Sequence, residues 1–336
     1  MTLVGYFGDD LISPKREDVY LKKDEKLENF YEIQEKLGEG KFGTVCKATE
    51  KSTGAVYAAK YIKITPASRK EVTEEINMMN KIHHKRLVYL YDAYETPNNL
   101  IMIMELVSGG ELFQKIVDED NLNEPNCARY LIQVLQGIRH MHRKNIVHLD
   151  LKPENVMCVP RPGEMDDIKL IDFGMSRVLD PDKELKVACG TPEFVAPEVI
   201  SFDPIRLASD MWSVGVITYI LLSGLSPFMG DDDNETISNV CAGEWDFDTE
   251  DNFFEDVSQM AKNFISELLK MDPSDRNTVD QCLSHDWTQK APGLQAKKLK
   301  TDNMKKFLAR RRWAKTGNAL RAITKLGSLS LKKGMK

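Results

Sequence analysis

The sequence predicts an α+β fold of two unequal lobes, a small β-rich N-lobe and a larger α-helical C-lobe, followed by a basic helical tail. Three observations carry this. Strand-length apolar runs broken by glycine-bearing turns fill residues 31–64, helical spacing takes over after Ser108-Gly109-Gly110 and holds to about Trp287, and the charge reverses beyond position 296.

In chain order, residues 1–30 are mixed in charge, show no sustained period and are interrupted by Ser13-Pro14, so they read as an extension without chemistry. Strands are expected at Tyr31 to Leu37, Thr44 to Ala48 and Val56 to Ile64, joined by a glycine-rich turn and by Ser52-Thr53-Gly54, as a small antiparallel sheet. Val72, Ile76, Met79 and Ile82 give residues 68–82 a helical period, and Leu87 to Tyr91 and Leu100 to Leu106 are strand-like again. The hinge falls at Glu105 to Gly110. The expected divisions are an extension at 1–30, a catalytic body at 31–288 (N-lobe 31–106, C-lobe 107–288) and a regulatory tail at 289–336.

With 336 residues, 42% hydrophobic and 29% charged, the composition is that of a soluble globular protein large enough for a substantial core. Six scattered cysteines without a CxxC pair imply neither a disulfide framework nor a zinc site, and point to a reducing, cytoplasmic compartment. No apolar run approaches the roughly 18 residues a membrane helix needs, and no signal-peptide pattern opens the chain, so a protein neither secreted nor membrane-spanning is expected. Fourteen basic residues against Asp302 alone give residues 297–336 a net +13; with the whole chain at −6, residues 1–296 carry −19. A basic tail is thus tethered to an acidic body.

Gly38-Glu39-Gly40-Lys41-Phe42-Gly43-Thr44-Val45 is a GxGxxGxV run between two predicted strands, where glycines let the backbone approach phosphates; alone it is equally a plain hairpin turn. Lys60 lies inside the next apolar strand, where an unpaired charge costs several kcal/mol. Glu75 is its expected partner in preference to Glu74. His148-Leu149-Asp150-Leu151-Lys152-Pro153-Glu154-Asn155 and Asp172-Phe173-Gly174 place a carboxylate, a lysine, an amide and a second carboxylate at the spacing phosphoryl transfer needs. Asp150 would accept or orient a hydroxyl proton, Lys152 would neutralise developing charge, and Asn155 and Asp172 would hold magnesium. Any one of these could be a solvated loop residue, but loop polarity does not predict the set.

Together with Gly190-Thr191-Pro192-Glu193-Phe194-Val195-Ala196-Pro197-Glu198, Asp210-Met211-Trp212-Ser213 and Arg276, these motifs resemble the eukaryotic protein kinase fold over roughly residues 31–288. That resemblance implies ATP and Mg2+ as cofactors. It implies nucleotide contacts from Leu37, Gly38, Gly40, Gly43, Val45, Lys60, Glu75, Glu105, Val107 and Glu111, and substrate contacts from Glu111, Glu154 and Thr191. It further implies a buried Glu198–Arg276 ion pair and a loop steadied by Asp210. Leu149 stands where many kinases carry an arginine that receives an activation-loop phosphate, and Met175 to Val187 offers Ser176 as its only hydroxyl. Activation-loop phosphorylation is therefore not expected to be required, and no residue needed for catalysis is missing.

In the tail, Trp313, Leu320 and Leu326 recur at helical spacing, and Trp313 to Leu326 spans roughly 20 Å at 1.5 Å per residue. A basic amphipathic helix with an aromatic and an aliphatic anchor suits calmodulin; a membrane-surface helix, a nucleic-acid arm and a solvated face are the rivals. Arg310-Arg311-Arg312-Trp313-Ala314-Lys315-Thr316-Gly317-Asn318-Ala319, Ala296-Lys297-Lys298-Leu299, Ser223 to Gly230 and Trp245-Asp246-Phe247-Asp248 resemble the calcium/calmodulin-dependent myosin light chain kinases.

The family resemblance implies a Ser/Thr kinase acting on myosin regulatory light chain and shut by residues from about Lys297 to Arg312 lying across an acidic groove at Glu111 and Glu154. Ca2+ acts indirectly, through calmodulin bound by Arg310, Arg311, Arg312, Trp313, Leu320, Arg321 and Leu326. Truncation near Gln289 should then give constitutive activity and Trp313→Ala an enzyme that stays shut. A cytoplasmic monomer on the actomyosin cytoskeleton, without nucleic-acid or membrane partners, is expected. Ser328 and Ser330 are bland tail serines or sites whose phosphorylation weakens calmodulin binding. The alternatives are a calmodulin-regulated kinase with another cytoskeletal substrate and a nucleotide-binding scaffold without efficient catalysis.

Overall fold

The computed structural model describes residues 17–40, 43–120, 122–247, 252–295 and 297–312. Its N-lobe is one six-stranded sheet in the order β1-β5-β6-β4-β3-β2, formed by β1 (Leu21–Lys22), β2 (Tyr31–Gly40), β3 (Gly43–Glu50), β4 (Val56–Lys63), β5 (Leu90–Glu95) and β6 (Asn99–Glu105). Helix α1 (Pro66–Met79) lies between β4 and β5. Thr65 and Ser68 cap it reciprocally, Pro66 starts it, and it turns Val72, Glu75, Ile76 and Met79 inward.

The sequence reading departs from the structure here in two ways. The end of the expected extension belongs to the lobe: β1 pairs in parallel with β5, so the sheet is not purely antiparallel, and Leu27 is buried beneath it. The strand expected at Leu87 to Tyr91 begins only at Leu90, because Leu87 and Val88 join the C-lobe instead, with Val88 N donating to Leu170 O at 3.0 Å.

The C-lobe opens with α2 (Leu112–Glu119) and α3 (Glu124–His142). Two small two-stranded sheets then interrupt the helical region: β7 (Ile146–Val147) pairs with β10 (Arg177–Val178), and β8 (Val156–Val159) pairs with β9 (Asp167–Leu170). Between them they hold the loops that carry Asp150 and Asp172. Helices α4 (Pro197–Ile200), α5 (Ala208–Ser223), α6 (Asp233–Ala242), α7 (Gln259–Leu268), α8 (Val279–Ser284) and α9 (Asp286–Lys290) complete the lobe. Apart from its first residue, α5 is buried on every face, as an apolar helix at the centre of a large core must be.

Packing against the C-lobe continues beyond residue 288. Ala291 is fully buried, and Arg129 donates to Pro292 O at 2.6 Å, so residues up to about Gly293 pack as body rather than tail. Residues 302–312 form a helix laid on the C-lobe, with Leu299 N donating to Leu122 O at 2.8 Å just ahead of it. Trp313, Leu320, Arg321, Leu326, Ser328 and Ser330 lie outside the described residues. Among the described residues no helix is long and apolar enough to cross a membrane.

Candidate active site

A cleft of about 740 Å³ opens between the lobes. Leu37, Gly38, Gly43, Val45, Lys60 and Glu75 line its N-lobe side, Glu105 and Val107 its hinge, and Asp172 its floor. The β3–β4 register sets Val45 opposite Lys60, so the glycine turn and the lysine share one end of the sheet. Gly43 has φ +129°, and a Cβ there would lie 1.8 Å from Tyr61 O, so only glycine lets the turn sit this close to β4.

Of the two carboxylates available to Lys60, the structure supplies Glu75, with Nζ 2.9 and 3.1 Å from its two oxygens. Glu74 faces outward toward Lys70. Burial works against the Lys60 ammonium, but Glu75 and Asp172 outweigh it and hold the pKa above the ordinary lysine value. The cation is therefore permanent and aimed into the cleft.

Asp150 sits in the loop after β7. The carboxylate of Asp210, buried at the start of α5, accepts from His148 N and Leu149 N, each at 2.9 Å, and from His142 Nε2 at 2.8 Å. These bonds fix the turn in which Leu149 takes φ +67°. His148 is sealed against Phe173, and burial, only partly opposed by Asp210, pushes its pKa down and leaves it neutral. Thr191 Oγ1 donates to Asp150 Oδ1 at 3.1 Å, Lys152 Nζ pairs with Oδ2, and Asn155 Nδ2 donates to Asp150 O at 2.8 Å. Asp150, Lys152, Asn155 and Thr191 thus form one cluster.

Ile171 N donates to Asn155 O at 3.0 Å, which ties the strand end before Asp172 to the same loop. With its amide nitrogen committed to Asp150 O, Asn155 keeps its side-chain oxygen as a metal donor, and Asp172 adds carboxylate oxygen. Two hard oxygen ligands complemented by phosphate and water suit Mg2+. Ser176, the lone hydroxyl of 175–187, is buried, with its Oγ 3.4 Å from His148 O.

Glu198 and Arg276 form a buried fork, Nη1 and Nη2 each 2.8 Å from a carboxylate oxygen, with the guanidinium over the Trp212 ring. Arg276→Ala would strand the Glu198 charge and is expected to cost on the order of 3–5 kcal/mol, read as a lower denaturant midpoint. An unchanged midpoint would refute this.

The tail occupies the groove beside the catalytic loop. Arg311 places Nε and Nη2 2.9 and 2.7 Å from Glu154 Oε1, pairs with Glu193 through Nη1, and lies over the rings of Phe194 and Phe307. Arg310 donates to Gly230 O at 2.6 Å, and Arg312 donates to Gln114. Leu299, Met304, Phe307 and Leu308 are buried beneath, each worth about 1.5–3 kcal/mol of apolar transfer. Gly224, at φ +72°, makes room for this: a Cβ on it would lie 2.4 Å from Met304 N.

Glu111, at the N-terminus of α2 just beyond the hinge, lines a groove of about 230 Å³ with Gln114, Glu154 and Arg311.

Several participants escaped the sequence reading. Glu193 is buried; burial raises its pKa and Arg311 pulls it back. Lys169 on β9 pairs with hinge Glu105 at 2.8 Å and covers the Tyr89 ring. Ala58, Val88, Met104, Leu106, Met157 and Ile171 form the apolar cleft wall. Strand alternation on β4 and β6 was a usable signal for Ala58 and Met104; nothing in the local sequence marked Glu193 or Lys169.

The protein kinase domain profile matches residues 31–288. The chain is 52% identical over 320 residues to the smooth-muscle myosin light chain kinase of Gallus gallus, covering 94% of this chain and 17% of that protein. It is 47% identical over 303 residues to myosin light chain kinase 2, skeletal/cardiac muscle, of Oryctolagus cuniculus, covering 88% of this chain and 49% of that protein. The chain thus spans half or less of the length of these curated relatives. Among solved structures, a twitchin kinase fragment from C. elegans, described as autoregulated protein kinase and immunoglobulin domains, superposes with a TM-score of 0.81 at 41% identity over 92% of this chain and 69% of that one.

Proposed function

The chain belongs to the protein kinase family, and on that premise we propose that it transfers the γ-phosphoryl group of ATP to a Ser or Thr of myosin regulatory light chain, is held shut by its own basic tail, and is opened by calcium-loaded calmodulin. The observation that carries this reading is the seat of Arg311 between Glu154 and Glu193. Glu154 follows Asp150 by four residues and Glu193 follows Thr191 by two, so the acids that hold the tail flank the cluster that would hold a substrate hydroxyl.

In this reading Lys60, fixed by Glu75, holds the nucleotide phosphates. Asp150, oriented by Thr191 and Lys152, accepts the hydroxyl hydrogen bond and takes the proton as the new P–O bond forms. Lys152 offsets the charge spreading over the phosphoryl oxygens. Asn155 and Asp172 would hold Mg2+, which would neutralise phosphate charge. Glu154, Glu193 and Glu111 receive basic residues of the substrate once the tail has left. Calmodulin competes for Arg310, Arg311 and Arg312 together with Trp313, Leu320, Arg321 and Leu326.

The test is phosphate transfer from radiolabelled ATP to purified regulatory light chain, with and without calcium and calmodulin. Label entering the light chain only when both are present is expected. Equal labelling without them would overturn the regulation, and no labelling under any condition would overturn the substrate.

A further inference from the structure

Residues 17–22 lie ahead of the matched kinase domain and take no part in the phosphoryl transfer proposed above. The structure nevertheless ties them to α1, the helix that carries Glu75. Asn80 stands at the C-terminal end of α1, and its side-chain amide grips the main chain of Val19 from both sides. Val19 N donates to Asn80 Oδ1 at 3.0 Å, and Asn80 Nδ2 donates to Val19 O at 2.8 Å. An asparagine suits this position because its amide sets an acceptor and a donor side by side, the pairing a neighbouring strand would offer.

Strand β1 follows at once. Leu21 and Lys22 run parallel to β5, opposite Ala93 and Tyr94, and Lys22 Nζ lies 3.1 Å from Asp92 Oδ2. Val19 and Leu21 are partly buried against the core that contains Val72, Ile76 and Met79. Residues 19–22 are thus a strap that runs from the edge of the sheet to the last turn of α1.

The first turn of α1 is fixed separately: Ser68 Oγ donates to Lys63 O at 2.9 Å, and Arg69 pairs with Glu95 at 2.6 Å. Glu75 lies between the two anchored ends, about 7.5 Å along the axis from Asn80 at 1.5 Å per residue. A helix held only at its first turn could swing, and the swing would lengthen the 2.9 and 3.1 Å bonds from Lys60 to Glu75. We propose that Asn80 is a positioning residue: by gripping Val19 it holds α1 against the sheet and so keeps Glu75 on Lys60. The inference rests on the proposed phosphoryl transfer. Two neutral hydrogen bonds together bias such an equilibrium on the order of tenfold.

The test places Asn80→Ala in the full chain and in the full chain carrying Glu75→Gln, and measures phosphate transfer to regulatory light chain with calcium and calmodulin present. Asn80→Ala is expected to lower turnover about tenfold where Glu75 is present and less than about twofold where it is not, because the clamp acts through that carboxylate. A loss by the same factor in both backgrounds would make the clamp a matter of general stability and overturn the inference. Val19→Pro removes the N–H that donates to Asn80 and leaves α1 unaltered; it should reproduce part of the loss, and wild-type turnover in it would also overturn the inference. Amide hydrogen exchange on the ATP-free chains reads the helix without turnover. Val72 to Met79 should exchange about tenfold faster in Asn80→Ala while α5 is unchanged, and unaltered exchange in α1 would overturn the clamp. A wild-type chain that labels no light chain overturns the functional reading, and the positioning role with it.

Discussion

Replacing Asp150 with asparagine is expected to reduce phosphoryl transfer by on the order of 10³-fold while leaving ATP binding intact. The substitution preserves shape: the amide oxygen can still accept from Thr191 Oγ1, and Asn155 still bonds the unchanged main-chain carbonyl. What disappears is the only group in the cluster able to take a proton from a substrate hydroxyl, together with the anion that holds Lys152. The Lys60–Glu75 pair and the apolar wall of the cleft are separate from the change, so nucleotide affinity should move little. Activity with light chain, measured beside calorimetric ATP binding, separates the two. A variant keeping more than a tenth of wild-type turnover would remove Asp150 from its assigned role, and equally inactive wild-type and variant chains would favour a nucleotide-binding scaffold.

What the sequence disclosed and what it concealed follow from the range of the interactions. The N-lobe strands, helix α1 and the choice of Glu75 were legible because periodicity acts within a few residues: Glu75 shares the inward face of α1 with Val72, Ile76 and Met79, whereas Glu74 does not. The two-residue strands Leu21–Lys22, Ile146–Val147 and Arg177–Val178 carry no period, and only a partner distant in sequence makes them strands. Glu193 is marked by Arg311, 118 residues away. The tail is the instructive case. Its charges and the Trp313, Leu320 and Leu326 spacing dominate its sequence and point to an acidic groove and to calmodulin. Met304, Phe307 and Leu308 also recur at i, i+3, i+4, and the structure buries all three against the body. One segment therefore carries an apolar stripe for the lobe ahead of the anchors read as calmodulin's.

That division fixes where the chain should be cut. Truncation near Gln289 would remove Ala291 and Pro292, which belong to the C-lobe core, and would confuse activation with unfolding. Ending the chain at Gln295 keeps them and removes Lys297, Lys298, the apolar stripe and Arg311 together. If the closed state holds about 99% of molecules, this cut should raise calcium-free activity about a hundredfold and abolish the response to calmodulin. Arg311→Ala tests the same switch with a single change. In the closed state Glu154 and Glu193 would face each other in a site where their side chains are 11% and 6% exposed, with their cation gone. Once the tail leaves, water reaches both, so the cost of roughly 3–5 kcal/mol falls on the closed state and shifts the balance about 10²- to 10⁴-fold toward open. Arg311→Ala should therefore approach the truncated enzyme, whereas Lys305→Ala, removing a half-exposed charge that faces Asp302 at 3.8 Å, should stay shut. If both variants remained inactive without calcium while the truncated chain was active, the apolar stripe rather than the Arg311 seat would be what holds the kinase closed.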